Sequence, residues 1–136
     1  MNGYLMQERD WVPGQDLFVD SFSPESRYGV VFEDDGEAAY FYAVEKDETG
    51  NGVKVLDALH IYEVPEEEDR EPQQQALKII WSRDWMKCAL VIDAFVHALY
   101  DFETQGGYNI NEFPPPNAIW TQGDRKLTDE LIQRLF

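Results

Sequence analysis

The sequence has few of the residues that metal sites and covalent catalysis use most. Cys88 is the single cysteine, and His60 and His97 are the only histidines among 136 residues. A zinc site takes three or four His, Cys or carboxylate ligands at short spacings, which this chain does not offer. A lone cysteine also leaves no intrachain disulfide, as is typical of a reducing compartment. We therefore expect no metal, no cofactor and a cytoplasmic location.

Long hydrophobic runs are absent too. The longest unbroken one, Ala38–Val44, is far short of the roughly 20 residues that a membrane helix needs. The first residues, Met1–Pro13, carry no basic stretch followed by an apolar segment, so they do not resemble a signal peptide. We expect neither secretion nor membrane insertion.

Positive charge is scarce: 11 Lys and Arg stand against 27 Asp and Glu, for a net charge of −16. Such a surface repels nucleic-acid phosphates and anionic lipids over a Debye length of about 8 Å at physiological salt. It attracts a basic protein by long-range steering. The composition therefore disfavours binding to nucleic acids or membranes and favours a basic protein partner.

The negative charge is concentrated in residues 33–71, where 14 carboxylates face three Lys or Arg, a local net charge of −11. Most of them lie in the turns between apolar runs. We predict an acidic interaction surface made of Glu33, Asp34, Asp35, Glu37, Glu66, Glu67, Glu68 and Asp69. In an antiparallel meander the first and third acidic loops follow strands of the same direction, so we expect one acidic end, away from the strand centres that hold the histidines.

What is abundant is short β-type sequence, rich in aromatic and β-branched residues. The Asp35-Gly36 pair between two such runs predicts a hairpin with a type I′ turn. Val53–Val64 is apolar on both faces and predicts a central strand. The predicted strands are Leu17–Val19, Tyr28–Phe32, Ala38–Val44, Val53–Val64, Leu77–Trp81, Cys88–Ile92 and Phe95–Phe102.

The remaining segments complete the predicted fold. Residues 88–102 form a hairpin, with one buried helix as the alternative, and residues 65–75 form an exposed loop. Pro114–Pro116 ends regular structure, and the stripe of leucines after Asp124 predicts a helix to Phe136 with Asp124 as N-cap. We expect one α+β domain over residues 1–136, poorly defined in 1–27: a mainly antiparallel meander of about six strands, with the C-terminal helix on one face.

Candidate binding residues have a structural and a functional interpretation. In a strand, His97 and Asp101 are about 13 Å apart and cannot pair directly, and Asp57 points away from the face of His60. Trp81 and Trp85 flank a polar turn, which is typical of recognition hot spots but also of core packing. The candidate binding residues are His60, Asp57, Trp81, Trp85, His97 and Asp101.

No catalytic motif is present. No serine lies in a Gly-x-Ser-x-Gly context, and Gly106-Gly107 lacks the strand-loop-helix frame of a phosphate-binding loop. Residues 33–37 fail the ligand spacing of a calcium loop. We therefore assign no catalytic residue and no metal ligand.

Several stretches resemble a bacterial family called domain of unknown function 2251, over most of residues 28–136. The matching stretches are Val31–Glu37, Tyr40–Ala43, Leu56–Tyr62, Trp81–Asp84, His97–Phe102, Gly107-Tyr108 and Phe113-Pro114. The resemblance implies a small bacterial protein and carries no activity, substrate or catalytic residue.

Three hypotheses stay open, one of which makes the chain part of a homo-oligomer, as a purely structural subunit of a homodimer with a large apolar interface. The preferred hypothesis is a non-catalytic module that binds a basic partner, for instance an immunity protein that neutralises a basic toxin. The alternative is a small enzyme or small-molecule-binding protein that uses His60, His97 and Asp101 in a pocket lined by Trp81 and Tyr100. The alternative requires these side chains to share one cleft.

Overall fold

The structure, a computed structural model, describes residues 1–69, 73–116, 120–121 and 123–136. These ranges contain nine strands, a short 3-10 helix (Glu67–Asp69) and one α-helix. The strands are β1 (Gly3–Trp11), β2 (Leu17–Phe22), β3 (Tyr28–Asp34), β4 (Ala38–Lys46), β5 (Val53–Glu63), β6 (Gln75–Ser82), β7 (Lys87–Ile92), β8 (Phe95–Asp101) and β9 (Gly106–Asn109), and the helix is α1 (Asp129–Leu135).

The strands form two antiparallel sheets rather than one meander of about six strands. One sheet has the order β2-β3-β4-β5, and the other has the order β1-β6-β7-β8-β9. The expectation of a single meander is wrong because β6, the next strand after β5, pairs with β1 and β7 in the other sheet instead of returning to β5. β5 is accordingly an edge strand of its sheet and not a central one.

The two sheets share one hydrophobic core between their inner faces, as in a β-sandwich. Phe32 and Phe41 come from the four-stranded sheet, and Leu90 and Tyr100 come from the other; all four side chains are fully buried. Polar contacts also join the sheets, and two of them come from fully buried side chains. Trp81 Nε1 donates to Ser21 Oγ at 2.9 Å, and the Tyr100 hydroxyl donates to the Phe41 carbonyl at 2.6 Å.

The C-terminal helix covers the outer face of the five-stranded sheet, where Leu131 packs with Ala89 and Leu99. It is shorter than predicted, and its N-cap is Thr128, whose hydroxyl accepts from Leu131 N at 3.1 Å. Asp124 caps a turn instead, because Lys126 is held in an extended bridge to Asn109. No helix in the described part of the chain is long and apolar enough to cross a membrane.

The two predicted hairpins are both present, but only one of them has a type I′ turn. Residues 88–102 form the predicted hairpin of β7 and β8, so the alternative of one buried helix is wrong. Its connecting residues Asp93 and Ala94 both have positive φ, 50° and 70°, as a type I′ turn requires. The hairpin of β3 and β4 is also present, but only Gly36 has positive φ there (92°), so the type I′ assignment at Asp35-Gly36 is wrong.

The loop predicted over residues 65–75 is present in part. Residues 67–69 form the exposed 3-10 helix, while Gln75 already belongs to β6. Residues 70–72 lie outside the described part of the chain. The N-terminal 27 residues, for which the sequence predicts one strand, contain two, β1 and β2.

Candidate functional site

The six candidate binding residues do not converge on one cleft. Trp81 is fully buried in the core between the sheets, whereas Trp85 lies on the turn after β6 and stacks on Tyr4 at a ring distance of 4.7 Å. The His97 ring contacts the Phe95 carbonyl, with 2.9 Å between Nδ1 and the oxygen. Asp101 is buried and accepts from the backbone and hydroxyl of the turn that follows β8.

Asp57 is a buried structural residue and not an accessible ligand. Its carboxylate accepts from both terminal nitrogens of Arg125, each at 2.8 Å, and from the Thr121 hydroxyl at 2.9 Å. Arg125 also donates to the Pro114 carbonyl at 2.6 Å and to the Gly107 carbonyl at 3.2 Å. A buried ion pair is tolerated only when its remaining hydrogen-bonding groups have partners, as they have here. The pair joins β5 to the segment after β9.

Gly107 makes this ion pair possible. A Cβ atom at this position would lie 2.8 Å from Asp57 Oδ2 and 2.7 Å from a Tyr100 ring carbon. Neither Arg125 nor Thr121 is predictable as a partner of Asp57 from the sequence, since 68 and 64 residues separate them from it. No spacing rule connects residues that far apart.

His60 is nearly buried and belongs to a defined polar chain. The Asn111 amide nitrogen lies 2.7 Å from His60 Nδ1, and Glu63 Oε1 lies 2.9 Å from Nε2. Asn111 Oδ1 accepts from Asn109 and from the Phe113 amide, so its nitrogen is the group that faces the ring. His60 Nδ1 therefore accepts, and Nε2–H donates to Glu63. The ring thereby fixes the direction of an exposed carboxylate.

A row of aromatic and acidic side chains crosses the outer face of the four-stranded sheet. The register pairs Phe18 with Glu33, Glu33 with Tyr40, and Tyr40 with His60. Residues paired in this way have Cβ atoms about 4.5–5.5 Å apart. The Tyr40 ring contacts the His60 ring edge-on at 5.2 Å, and the His60 ring contacts Phe113 at 5.9 Å. We call Phe18, Glu33, Tyr40 and His60 the cross-strand row.

Two of the acidic loops lie at the same end of the four-stranded sheet. Val64 N, after β5, donates to the Glu37 carbonyl between β3 and β4 at 2.8 Å. Residues of both loops line an open depression of about 390 Å³, which includes Glu37, Glu63 and Glu66. We call Asp16, Glu33, Asp35, Glu37, Glu63 and Glu66 the acidic end. The expectation that this end is remote from both histidines is wrong for His60, which contacts Glu63.

A second depression, of about 380 Å³, lies on the other side of the same turn. Phe18 and Leu17 line it together with the carboxylate-bearing residues Asp16, Glu33, Asp34 and Asp35. Phe18 is 62% exposed, and its apolar ring lies beside the carboxylates.

Asp34 does not belong to the accessible acidic surface. It is 1% exposed and accepts from Gly14 N, Gly36 N and the Tyr62 hydroxyl. Burial, together with this hydrogen bond, raises the pKa of Tyr62 well above its usual range. Asp35 is accessible, and the amides of Ala38 and Glu37 lower its pKa by donating to its carboxylate. Asp34 therefore stabilises the turn that presents the other acids.

The described residues contain no group of three or more His, Cys, Asp or Glu side chains placed to hold a metal ion. Cys88 is fully buried, and burial raises the pKa of its thiol. The accessible chemistry of the acidic end is thus that of carboxylates and aromatic rings, which bind cations.

These features define a class of protein: a two-sheet antiparallel β-sandwich with a short C-terminal helix and one strongly acidic end. The chain belongs to the family described as an uncharacterized protein conserved in bacteria (DUF2251), whose model matches residues 11–136. The match begins at Trp11, so it extends further toward the N-terminus than the resemblance over residues 28–136 and leaves most of β1 outside.

A relative in Haemophilus influenzae, described as an uncharacterized protein, is 35% identical over 97 residues. The match covers 70% of this chain and 58% of the relative, so the chain spans less than two thirds of that protein's length. No solved structure matches the chain.

Proposed function

We propose that this protein is a non-catalytic, single-domain binding module whose acidic end binds a basic partner protein, as an immunity protein would bind a basic toxin. The observation that carries the proposal is the set of unneutralised carboxylates at this end. Among the described residues, Lys and Arg ion pairs involve only Asp57, Asp84 and Glu103, none of which lies at the acidic end.

Carboxylates without a cationic partner repel one another and so destabilise the fold, while they contribute to solubility and to recognition of a basic partner. A concentrated negative field steers a basic partner to the correct face and raises the association rate. The exposed Phe18 adds apolar contact area next to that field. Charge and apolar area together suit a protein interface better than a purely solvated loop does.

The alternative, an enzyme or small-molecule site, receives less support. It needs His60, His97 and Asp101 in one pocket lined by Trp81 and Tyr100. Trp81 and Tyr100 are fully buried, and Asp101 is engaged in its own turn. His60 and His97 lie on different sheets, on β5 and β8. The geometry therefore favours the binding module.

The test is affinity capture from a bacterium that carries the gene, followed by binding measurements with the purified partner. The test variant replaces Glu33, Glu37 and Glu66 by Gln. The matched control replaces the exposed Glu8, Glu25 and Glu48 by Gln, so that both variants lose three negative charges. Glu25 and Glu48 lie in turns at the opposite end of the same sheet.

We expect a basic partner whose affinity falls about tenfold or more in the test variant and in high salt, and changes little in the control. Calorimetry measures both affinities. An acidic partner, or equal binding to the two variants, contradicts the proposal.

A further inference from the structure

The outer face of the four-stranded sheet offers more than negative charge. Alternation along β3 and β4 directs Phe32 and Phe41 into the core and leaves Glu33, Tyr40 and Tyr42 on the opposite face. α1 packs on the other sheet. Tyr40 and Tyr42 stack on each other at 6.0 Å and remain partly accessible, so aromatic surface continues directly from the acidic end.

Tyr40 has a carboxylate-bearing residue directly opposite on β3 and another placed diagonally on β5, beyond its direct partner His60. On β3 its partner is Glu33, and on β5 the residue opposite Ala38 is Glu63. Ala38 is two residues before Tyr40 on the same face, and its small side chain leaves room beside the ring. An incoming cation that contacts Tyr40 thus meets negative charge from both flanking strands.

One of these two carboxylates is held in place. His60 Nε2 binds Glu63 Oε1 at 2.9 Å, and the side chain of Glu63 is nonetheless 74% exposed. Asn111 and Phe113 support the ring of His60 from the other side. His60 is therefore a positioning residue, since it orients a carboxylate without being accessible itself. Such support reduces the entropy that Glu63 would lose on binding a ligand.

The local electrostatics are those of a cation-binding surface. Burial, followed by the carboxylate of Glu33, raises the pKa of Tyr42. Glu33 therefore acts on Tyr42 as well as pairing with Tyr40 across β3 and β4.

Arginine fits this surface better than lysine does. A guanidinium is planar, stacks on an aromatic ring and donates to carboxylates from several N–H groups at once, whereas an ammonium is a strongly hydrated point charge. We propose that the surface formed by Tyr40, Glu33 and Glu63 binds an arginine side chain of the basic partner. The guanidinium lies against the Tyr40 ring, and its N–H groups donate to the two carboxylates. This inference rests on the proposed function and adds the residue that the partner must present.

The test compares an oligo-arginine peptide with an oligo-lysine peptide of equal length and charge, each binding to the whole protein. Fluorescence anisotropy gives the two affinities, and amide chemical shifts locate the peptide. We expect the arginine peptide to bind about two- to fivefold more tightly and to shift the amides around Tyr40.

Four variants isolate the ring and the carboxylates. Tyr40→Ala should abolish the preference for arginine while lysine binding persists, and Tyr40→Phe should keep the preference because the ring remains. Glu33→Gln combined with Glu63→Gln should weaken both peptides without any large change in folding, since both side chains have solvent access. Phe95→Ala, at a 71% exposed aromatic residue of the other sheet, is the control and should change neither affinity.

The outcomes separate the two proposals. Equal affinity for the two peptides, or a preference that survives in Tyr40→Ala, overturns the arginine site, while salt-sensitive binding through the acidic end would leave the proposed function standing. Both proposals are overturned if neither peptide binds, or if replacing Glu33, Glu37 and Glu66 by Gln leaves binding unchanged. If Tyr40→Ala unfolds, the comparison of wild type with Tyr40→Phe and the chemical-shift map decide instead.

Discussion

Replacing Arg125 by Met should be the most damaging single substitution in this protein. The change removes the guanidinium that binds Asp57 through two nitrogens and also contacts the carbonyls of Pro114 and Gly107. Arg125 is 1% exposed and Asp57 is 5% exposed, so water cannot replace the lost partner without opening the core. Removing one member of such a pair costs about 3–5 kcal/mol, because the other charge stays buried and unpaired.

Urea unfolding followed by tryptophan fluorescence measures this cost. With a slope of about 2 kcal/mol per molar urea, the midpoint should fall by about 2 M. A domain of this size has about 5–15 kcal/mol of stability in total, so the substitution should remove a large fraction of it. Arg27→Met is the matched control: Arg27 is exposed, and its loss should change stability by about 0.5 kcal/mol or less.

A double variant separates the charge from the packing. Asp57→Leu with Arg125→Met leaves no unpaired charge, so it should be more stable than Arg125→Met alone. The reasoning is refuted if the free energy of unfolding of Arg125→Met lies within about 1 kcal/mol of the wild-type value. It is also refuted if the double variant loses as much free energy of unfolding as the two single substitutions together.

Three further predictions concern other parts of the fold. Gly107→Ala should destabilise by about 2 kcal/mol or more in the same urea assay, because its Cβ would clash with the Tyr100 ring; wild-type stability would contradict this. Burial opposes ionisation of Asp84, but hydrogen bonds from Lys87 and a serine hydroxyl lower its pKa to about 2. The ionised carboxylate therefore stabilises the folded state above a pH of about 4, the pKa in the unfolded chain, and this stabilisation is lost as the pH falls toward 2. In Asp84→Asn, the free energy of unfolding should fall less steeply over this pH range, by less than about 1 kcal/mol. An unchanged dependence on pH would contradict this. Finally, the Cys88 thiol should not react with Ellman's reagent in the native protein and should react once the protein is unfolded, because it is fully buried and its pKa is raised. A rapid reaction of the native protein would show that the thiol is not buried.

Local pattern was sufficient for much of the fold. Seven of the strands correspond to runs of β-branched and aromatic residues, and the hairpin of β7 and β8 follows from the same signal. The sequence patterns do not predict β1 and β9, and the reason differs between the two strands. β1 is an edge strand in which the apolar residues Tyr4, Leu5 and Met6 are consecutive and polar residues follow up to Asp10, so its sequence lacks the alternation that predicts a strand. β9 has four residues and begins with two glycines, and its pairing with β8 depends on close packing.

The acidic end divides in the same way. That the carboxylates lie in turns follows from the sequence, because apolar runs separate them, and the contact between the loops around Glu37 and Val64 agrees with the expectation of one acidic end. That Asp34 is buried does not follow, since two of the three donors that compensate its burial, Gly14 N and the Tyr62 hydroxyl, come from distant segments. Nor does the orientation of Glu63 by His60, because a bulge in β5 brings the two side chains to one face.

The sequence by itself determined the strand-forming segments, the strong negative charge and its concentration between strands, since alternation and composition act over neighbouring residues. Only the tertiary structure decided that the strands form two sheets, that Asp57 belongs to a core ion pair, and that Tyr40 lies between two acidic strands. The physical reason is common to all three. They depend on contacts between residues far apart in the chain, and these form only when each sheet buries its apolar face against the other.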